Sequence, residues 1–371
     1  MKKLGFGLMR LPLNDPNNAG DIDIEQVKKM VDLFMEKGFT YFDTAWMYCG
    51  FNSENAAKTA LVDRYPRDSF TLATKLNAGF FDSLEGRDEV FNKQLEKTGA
   101  GYFDYYLLHG MDGNSYEKFE QFDCFNWLLD KKAKGLVKTP GFSFHGTADL
   151  LDKVLTKHPE MEFVQLQINY LDWDSQWIQG KDCYDVAVKH GKPVIVMEPV
   201  KGGTLANVPA EVEALFKAHD PKASPASWAV RFAASLPGVM MVLSGMSNLQ
   251  QMEDNLSYME DFQPLTDEET AMVQKAAKII TNQIAVPCTG CSYCTEGCPQ
   301  NIAIPQYFSL YNEEMRETVS KWTVNSANYR HLTENFGKAS DCAACGQCEE
   351  MCPQHLPIIE HLKSVAEHFG K

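Results

Sequence analysis

The sequence predicts an α/β protein in two parts: a (β/α)8 TIM barrel over residues 1–282 and a small, mostly helical C-terminal domain over residues 283–371. Three observations carry this expectation. Short β-branched or aromatic runs alternate with longer stretches of helical period as far as about residue 260, the rhythm of parallel strands and crossover helices. Polar residues with chemical potential fall at the carboxyl ends of those runs, where such a barrel keeps its site. Eight of the 11 cysteines crowd into the stretch beyond residue 287.

Strands are expected near Leu4–Met9, Thr40–Thr44, Phe70–Lys75, Asp104–His109, Thr139–Phe144, Phe163–Ile168, Val194–Met197 and Val239–Ser244, and eight is the number that closes a barrel. An open doubly wound sheet is the competing arrangement, but no G-x-G-x-x-G loop follows the first strand. Between strands, Ile24–Lys37 places Val27, Met30, Val31 and Phe34 on one helical face, and Lys118–Lys134 reads as one helix. After the last strand, Asn248–Met259 and Thr266–Ile280 are expected helices, the second opened by a capping box of Thr266 and Glu269. Asn282–Pro287 is the connector, and Pro305–Gly337 is expected to be mostly helical.

The cysteines repeat one pattern: Cys288-x2-Cys291-x2-Cys294-x3-Cys298-Pro299 and Cys342-x2-Cys345-x2-Cys348-x3-Cys352-Pro353. This is the spacing of a two-cluster bacterial ferredoxin, so the second domain is expected to be a dicluster ferredoxin-like module with two [4Fe–4S] clusters. Cysteines every third residue grip three corners of one cubane, while the one before proline is carried to the neighbour. Cys288, Cys291, Cys294 and Cys352 therefore form one set, and Cys342, Cys345, Cys348 and Cys298 the other. Gly290, Gly297 and Gly346 let backbone N–H groups approach the sulfurs. Paired zinc sites would account for four cysteines each, but not for the third x2 step or the repeated Cys-Pro. A disulfide framework suits short secreted chains, and no export signal is read at the start of this one.

The formal charge of −15 argues against nucleic acid, whose phosphates need Lys and Arg stripes. It suits solubility, or an acidic surface that meets a basic redox partner protein. No apolar run approaches the ~18 residues of a membrane span. The expected setting is soluble, reducing and cytoplasmic.

Asp43, Tyr48, Lys75 and His109 recur at the ends of successive strands. Alone, an Asp–Lys pair is also a buried structural ion pair, and a lone His a satisfied core residue. With Gly5-Phe-Gly-Leu-Met-Arg-Leu-Pro12, Phe42-Asp-Thr-Ala-Trp-Met-Tyr48, Gly141-Phe-Ser-Phe-His145, Met197-Glu-Pro-Val-Lys-Gly-Gly203 and the Ser244-Gly-Met-Ser run closing at Asn255, the chain resembles the aldo-keto reductase family. The added cysteine module is similar to that of its iron–sulfur-containing branch.

The resemblance implies a catalytic tetrad. Tyr48 gives a proton to a carbonyl oxygen while NADH or NADPH delivers hydride. Lys75 is expected to draw the phenol down from about 10 into useful range, with Asp43 orienting Lys75 and His109 fixing the carbonyl. It also implies nicotinamide contacts at Ser143 and Gln167. Contacts to phosphates, ribose and adenine fall on Glu198, Pro199, Lys201, Gly202, Gly203, Gly245, Met246, Ser247, Gln251 and Asn255, with Arg10 contributing. There are three departures from the pattern: Phe144 stands where many members have Asn, Met197 where many have the Tyr beneath the nicotinamide, and Gly245 with Gln251 where NADPH-preferring members carry cations. NADH, NADPH and a different cofactor such as flavin all stay open.

Two function classes follow. One is a nicotinamide-dependent enzyme acting on a small carbonyl or alcohol, with clusters that tune it or relay electrons. The other is a ferredoxin-like electron-transfer protein whose barrel binds another cofactor or serves as a docking scaffold. Hydride moves two electrons together whereas a cluster moves one, and no flavin site is legible. Of the remaining residues, Cys49 reads as packing or redox-active, Cys124 and Cys183 as core, and Trp46, Trp173 and Trp177 as pocket lining or core.

Overall fold

The computed structural model of the protein describes residues 2–16, 18–175, 178–316 and 324–370, so Trp177 and part of the expected helical stretch Pro305–Gly337 lie outside the described residues. The described chain forms two compact units. One contains Met1–Asp174, Gln179–Pro199 and Ala226–Thr270, and the other Ser175–Ile178, Val200–Pro225 and Ala271–Lys371.

The first unit is a closed barrel of eight parallel strands in sequence order. The strands are β1 (Leu4–Gly7), β2 (Tyr41–Asp43), β3 (Thr71–Asn77), β4 (Phe103–Met111), β5 (Val137–Phe144), β6 (Phe163–Gln167), β7 (Val194–Met197) and β8 (Val239–Ser244). All eight fall where the sequence places them, because a strand buried on both faces writes itself as an apolar run. Tyr41, Ala73, Leu107, Phe163, Ile195, Met241 and Leu243 fill the interior. Space there is tight: a Cβ on Gly141 would lie 2.4 Å from the Phe163 ring.

The helix Ile24–Glu36 buries Val27, Met30, Val31 and Phe34, with Asp23 accepting from the Gln26 N–H as its cap. Burying four such side chains contributes about 1.5–3 kcal/mol each before entropy is counted. The capping box at Thr266 and Glu269 is present in both directions, at 2.7 and 3.2 Å. The expected single helix Lys118–Lys134 is instead two, Gly113–Gln121 and Cys124–Ala133, broken at the left-handed Asp123 (φ 50°). Helical period runs through the break because Phe119, Phe125 and Leu128 are all buried. The Phe122 carbonyl beside the break is satisfied by the Arg87 guanidinium, a partner sequence spacing does not announce.

In the second unit the helices Ala210–His219, Ile304–Arg316, Val324–Leu332 and Ile358–Phe369 accompany the two cysteine runs. Its core is Val286, Ile302, Tyr307, Phe308, Tyr329, Ile358, Leu362 and Val365, with cysteines packed among them. Asn312 pins the segment before the first cysteine, donating to the Val286 carbonyl (2.6 Å) and accepting from its N–H (2.7 Å). Among the described residues no helix is long and apolar enough to cross a membrane.

Candidate active site and cysteine centres

Neighbouring strands deliver the polar quartet to one end of the barrel. Asp43 closes β2, Lys75 stands in β3, and His109 stands in β4 opposite Asn77. The Lys75 ammonium donates to Asp43 Oδ1 (2.5 Å) and to the Thr44 carbonyl (2.7 Å), with the two side chains 0 % and 3 % exposed. It also lies 4.9 Å from the centre of the Tyr48 ring, and that ring meets the His109 imidazole edge to face at 5.8 Å.

Tyr48 is positioned by an unusual turn. Cys49, Gly50 and Phe51 are successively left-handed, at φ 50°, 57° and 67°. Such a conformation costs of order 1–3 kcal/mol at a residue with a side chain. It is held from below: the Cys49 thiol donates towards the Met9 carbonyl (3.4 Å), and the Ser53 hydroxyl donates to Leu8 (2.8 Å). Cys49 is thus a buried packing residue whose thiol burial pushes up. Burial likewise pushes Cys124 and Cys183 up to about 12.

Electrostatics correct one expectation. Lys75 does not bring the Tyr48 phenol down. Burial holds it well above 10, and Asp43, Glu198 and Cys49 push the same way. The reason is compensation, since the ammonium is already committed to the adjacent carboxylate and to Thr44. Burial pushes the Asp43 carboxyl up and the Lys75 ammonium down, each opposed by the other's charge. His109 is pushed well below 6.5, first by burial and then by Lys75 and His145, so its imidazole is neutral at pH 7. Among the described residues its buried Nδ1 has no hydrogen-bond partner.

Sequence reading missed the support behind Lys75. Glu54, fully buried, accepts from Thr74 (2.8 Å) and Gln94 (2.7 Å) and pairs with Lys97 (3.0 Å). Gln94 also donates to the Lys75 carbonyl (3.0 Å) and accepts from the Tyr106 hydroxyl (2.6 Å). The available signal was a charged residue, Glu54, just ahead of the apolar Ala56, Ala57, Ala60 and Leu61. We expect Lys75→Met to destabilise the fold by about 3–5 kcal/mol, because Asp43 is left as a buried, unpaired charge. Urea unfolding measures this, and a loss below about 1 kcal/mol would contradict a tight buried pair.

The residues expected to hold a nucleotide divide between the two units. Ser143 (end of β5), Gln167 (β6), Glu198 and Pro199 (after β7) belong to the barrel unit, as do Gly245, Met246, Ser247, Gln251, Asn255 and Arg10. The Ser143 hydroxyl accepts from the Gly110 N–H (2.7 Å), which leaves its own hydrogen to donate. Gln167 donates to Asp172 (3.1 Å). After β8, Ser247 N–H donates to Gln251 Oε1 (2.7 Å), Ser247 Oγ to the Arg10 carbonyl (2.8 Å) and Ser244 to Asn255 (2.7 Å). The Arg10 side chain lies 3.5 Å from where a Cβ on Gly245 would be. Met246 is buried, Met197 sulfur accepts from Gln165 (3.4 Å), and the half-buried Trp173 packs against Tyr184 and Phe232. Lys201, Gly202 and Gly203 fall in the second unit.

In that second unit a small cavity is lined by Cys288, Cys291, Cys294 and Cys352, with Thr289, Gln354 and Phe308 among its walls. The Gly290 N–H, carried on a left-handed residue (φ 66°), donates to Cys288 Sγ at 3.4 Å. Burial pushes the Cys294 thiol up to about 12, with Cys291, Cys288 and Cys352 adding to it. Cys348, at about 11, is raised by burial and then by Glu349, Cys342, Cys345 and Cys298. The fold therefore draws the cysteine before each proline to the other run. Among the described residues no three His, Cys, Asp or Glu side chains converge tightly enough for a single ion. The thiols ring a space instead.

A closed barrel with an ion pair, a phenol and an imidazole at its carboxyl end, joined to a doubled cysteine motif, defines an oxidoreductase with an iron–sulfur domain. The chain belongs to the aldo/keto reductase family, whose model matches residues 3–278, and a 4Fe-4S dicluster domain model matches residues 287–357. The resemblance read from the sequence is thereby borne out. No curated protein matches the chain. Among solved structures, the holo form of aldo-keto reductase AKR11C1 from Bacillus halodurans is 24 % identical, with 74 % of this chain and 91 % of that one covered at a TM-score of 0.58. An aldo-keto reductase from Klebsiella pneumoniae in complex with NADPH is 17 % identical, with coverage of 74 % and 90 % and a TM-score of 0.57. At such identities these structures support the barrel fold alone.

Proposed function

We propose that the barrel reduces a small carbonyl, or oxidises the matching alcohol, with NADH or NADPH, and that the cysteine domain holds two [4Fe–4S] clusters. The buried Asp43–Lys75 pair beneath Tyr48, with His109 against the same ring, carries the first half of this reading. A nicotinamide fits the site: the hydroxyl hydrogen of Ser143 is available to an amide, and the unpartnered His109 Nδ1 awaits a polar group. When bound, the nicotinamide supplies hydride to the carbonyl carbon.

Within the chain, Tyr48 holds the proton for the developing alkoxide, and its raised phenol keeps that proton throughout neutral pH. The neutral His109 orients the carbonyl oxygen by hydrogen bonding. Asp43 and Thr44 fix the Lys75 ammonium beneath the phenol, where it offsets negative charge as the proton leaves.

The cubane reading likewise fits its residues. Four thiols surround a cavity, and a backbone N–H is aimed at one of their sulfurs. Cys288, Cys291, Cys294 and Cys352 are the ligands of one cluster, and Cys342, Cys345, Cys348 and Cys298 of the other. Bound there, clusters supply or accept single electrons, and a redox partner protein is the counterpart. A reducing cytoplasm keeps such thiols free to bind iron.

Anaerobic purification with iron and sulfide assay, followed by titration with each nucleotide, tests both halves. The cation missing at Gly245 and Gln251 has a neighbour in Arg10, which packs over Gly245. We expect Arg10→Gln to weaken NADPH about tenfold or more while NADH changes little, the size of a lost charge-assisted bond to phosphate. Equal losses for the two nucleotides would remove Arg10 from the 2′-phosphate.

A further inference from the structure

Lys201 belongs to the compact unit that contains both cysteine runs. Its backbone is left-handed (φ 47°) and the residue is 2 % exposed. The ammonium donates to Gln354 Oε1 at 3.0 Å, and Gln354 lines the same cavity as Cys288, Cys291, Cys294 and Cys352. Gly202 follows, also left-handed (φ 64°), and a Cβ there would lie 2.1 Å from the Thr289 carbonyl oxygen. Only glycine lets this loop press onto the backbone beside the first cysteine. The charge is therefore held behind the wall of the cysteine cavity, on a side chain fixed by the wall residue Gln354.

A cluster that accepts one electron becomes one charge more negative. A fixed cation in a place shielded from water favours that form, because screening there is weak. We propose that Lys201 is a charge-setting residue that raises the reduction potential of the cluster held by Cys288, Cys291, Cys294 and Cys352. This rests on those cysteines holding a cluster, and it goes beyond that reading by giving one cluster its own potential.

The test is a dithionite titration followed by electron paramagnetic resonance on full-length protein. Lys201→Gln is expected to make reduction of one cluster at least tenfold less favourable, a fall of ~59 mV for a one-electron couple, while the other midpoint stays put. Lys201→Arg retains the wild-type value. Gln354→Glu keeps the lysine but compensates its charge, and lowers the same midpoint even if Lys201→Gln folds poorly. Unchanged midpoints in Lys201→Gln and Gln354→Glu at full iron content would overturn the inference and leave the cluster assignment standing. An equal shift of both midpoints would also overturn it. A wild-type protein without iron would overturn the inference and the cluster assignment together.

Discussion

Replacing Tyr48 with Phe is expected to lower kcat for carbonyl reduction by about 10²–10⁴-fold, the usual contribution of a positioned acid, while nucleotide affinity changes little. The competing proton sources at the site are poorly suited. His109 is held neutral by burial and by the adjacent ammonium, and Lys75 is committed to Asp43 and Thr44. The phenol keeps its hydrogen because its ordinary value near 10 is raised further. The sign follows: the acid is present below the raised pKa and is lost only as pH climbs through it. Wild-type turnover should therefore show no fall assignable to this group between pH 6 and about 9, with any alkaline limb beyond about 10. Steady-state rates across that range, with nucleotide binding by fluorescence, make the measurement. Turnover retained in Tyr48→Phe would remove the phenol from the chemistry.

Cys352→Ala is expected to cost the protein the cluster of the distant Cys288 run, dropping iron from about eight atoms per chain to about four. Cys352 stands with Cys288, Cys291 and Cys294 around one cavity, although it follows the other run in sequence. Double variants give a sharper reading, since residues of one unit are not additive. Cys291→Ala added to Cys352→Ala should cost no further iron, because both belong to the same cluster. Cys345→Ala added to Cys352→Ala should leave almost none. The reverse pattern in iron and sulfide assays would mean that each run closes its own cluster.

Much of this arrangement was legible before any coordinates. All eight strands lie where apolar runs predict them, since the barrel buries both faces of each strand and leaves little freedom of register. Asp43, Lys75 and His109 were readable because the carboxyl end of a strand is a fixed address in this architecture. The supporting Glu54 and Gln94 were not. Their partners Thr74, Lys75, Lys97 and Tyr106 are gathered from several elements, and no spacing rule joins them. The break at Asp123 was hidden for a related reason, as apolar residues keep their helical period on both sides of it.

By itself the sequence determined the barrel, the polar strand ends and the doubled cysteine motif. These follow from periodicity and from the local reach of a thiol, both of which act over a few residues. Tertiary structure alone decided that the Tyr48 phenol is raised rather than lowered, because burial and the charge of Asp43 outweigh an ammonium that is already compensated. It alone also decided that Lys201 answers to Gln354 and the cysteine cavity. A charge acts through space on whatever the fold brings near it, and sequence records only what stands beside it along the chain.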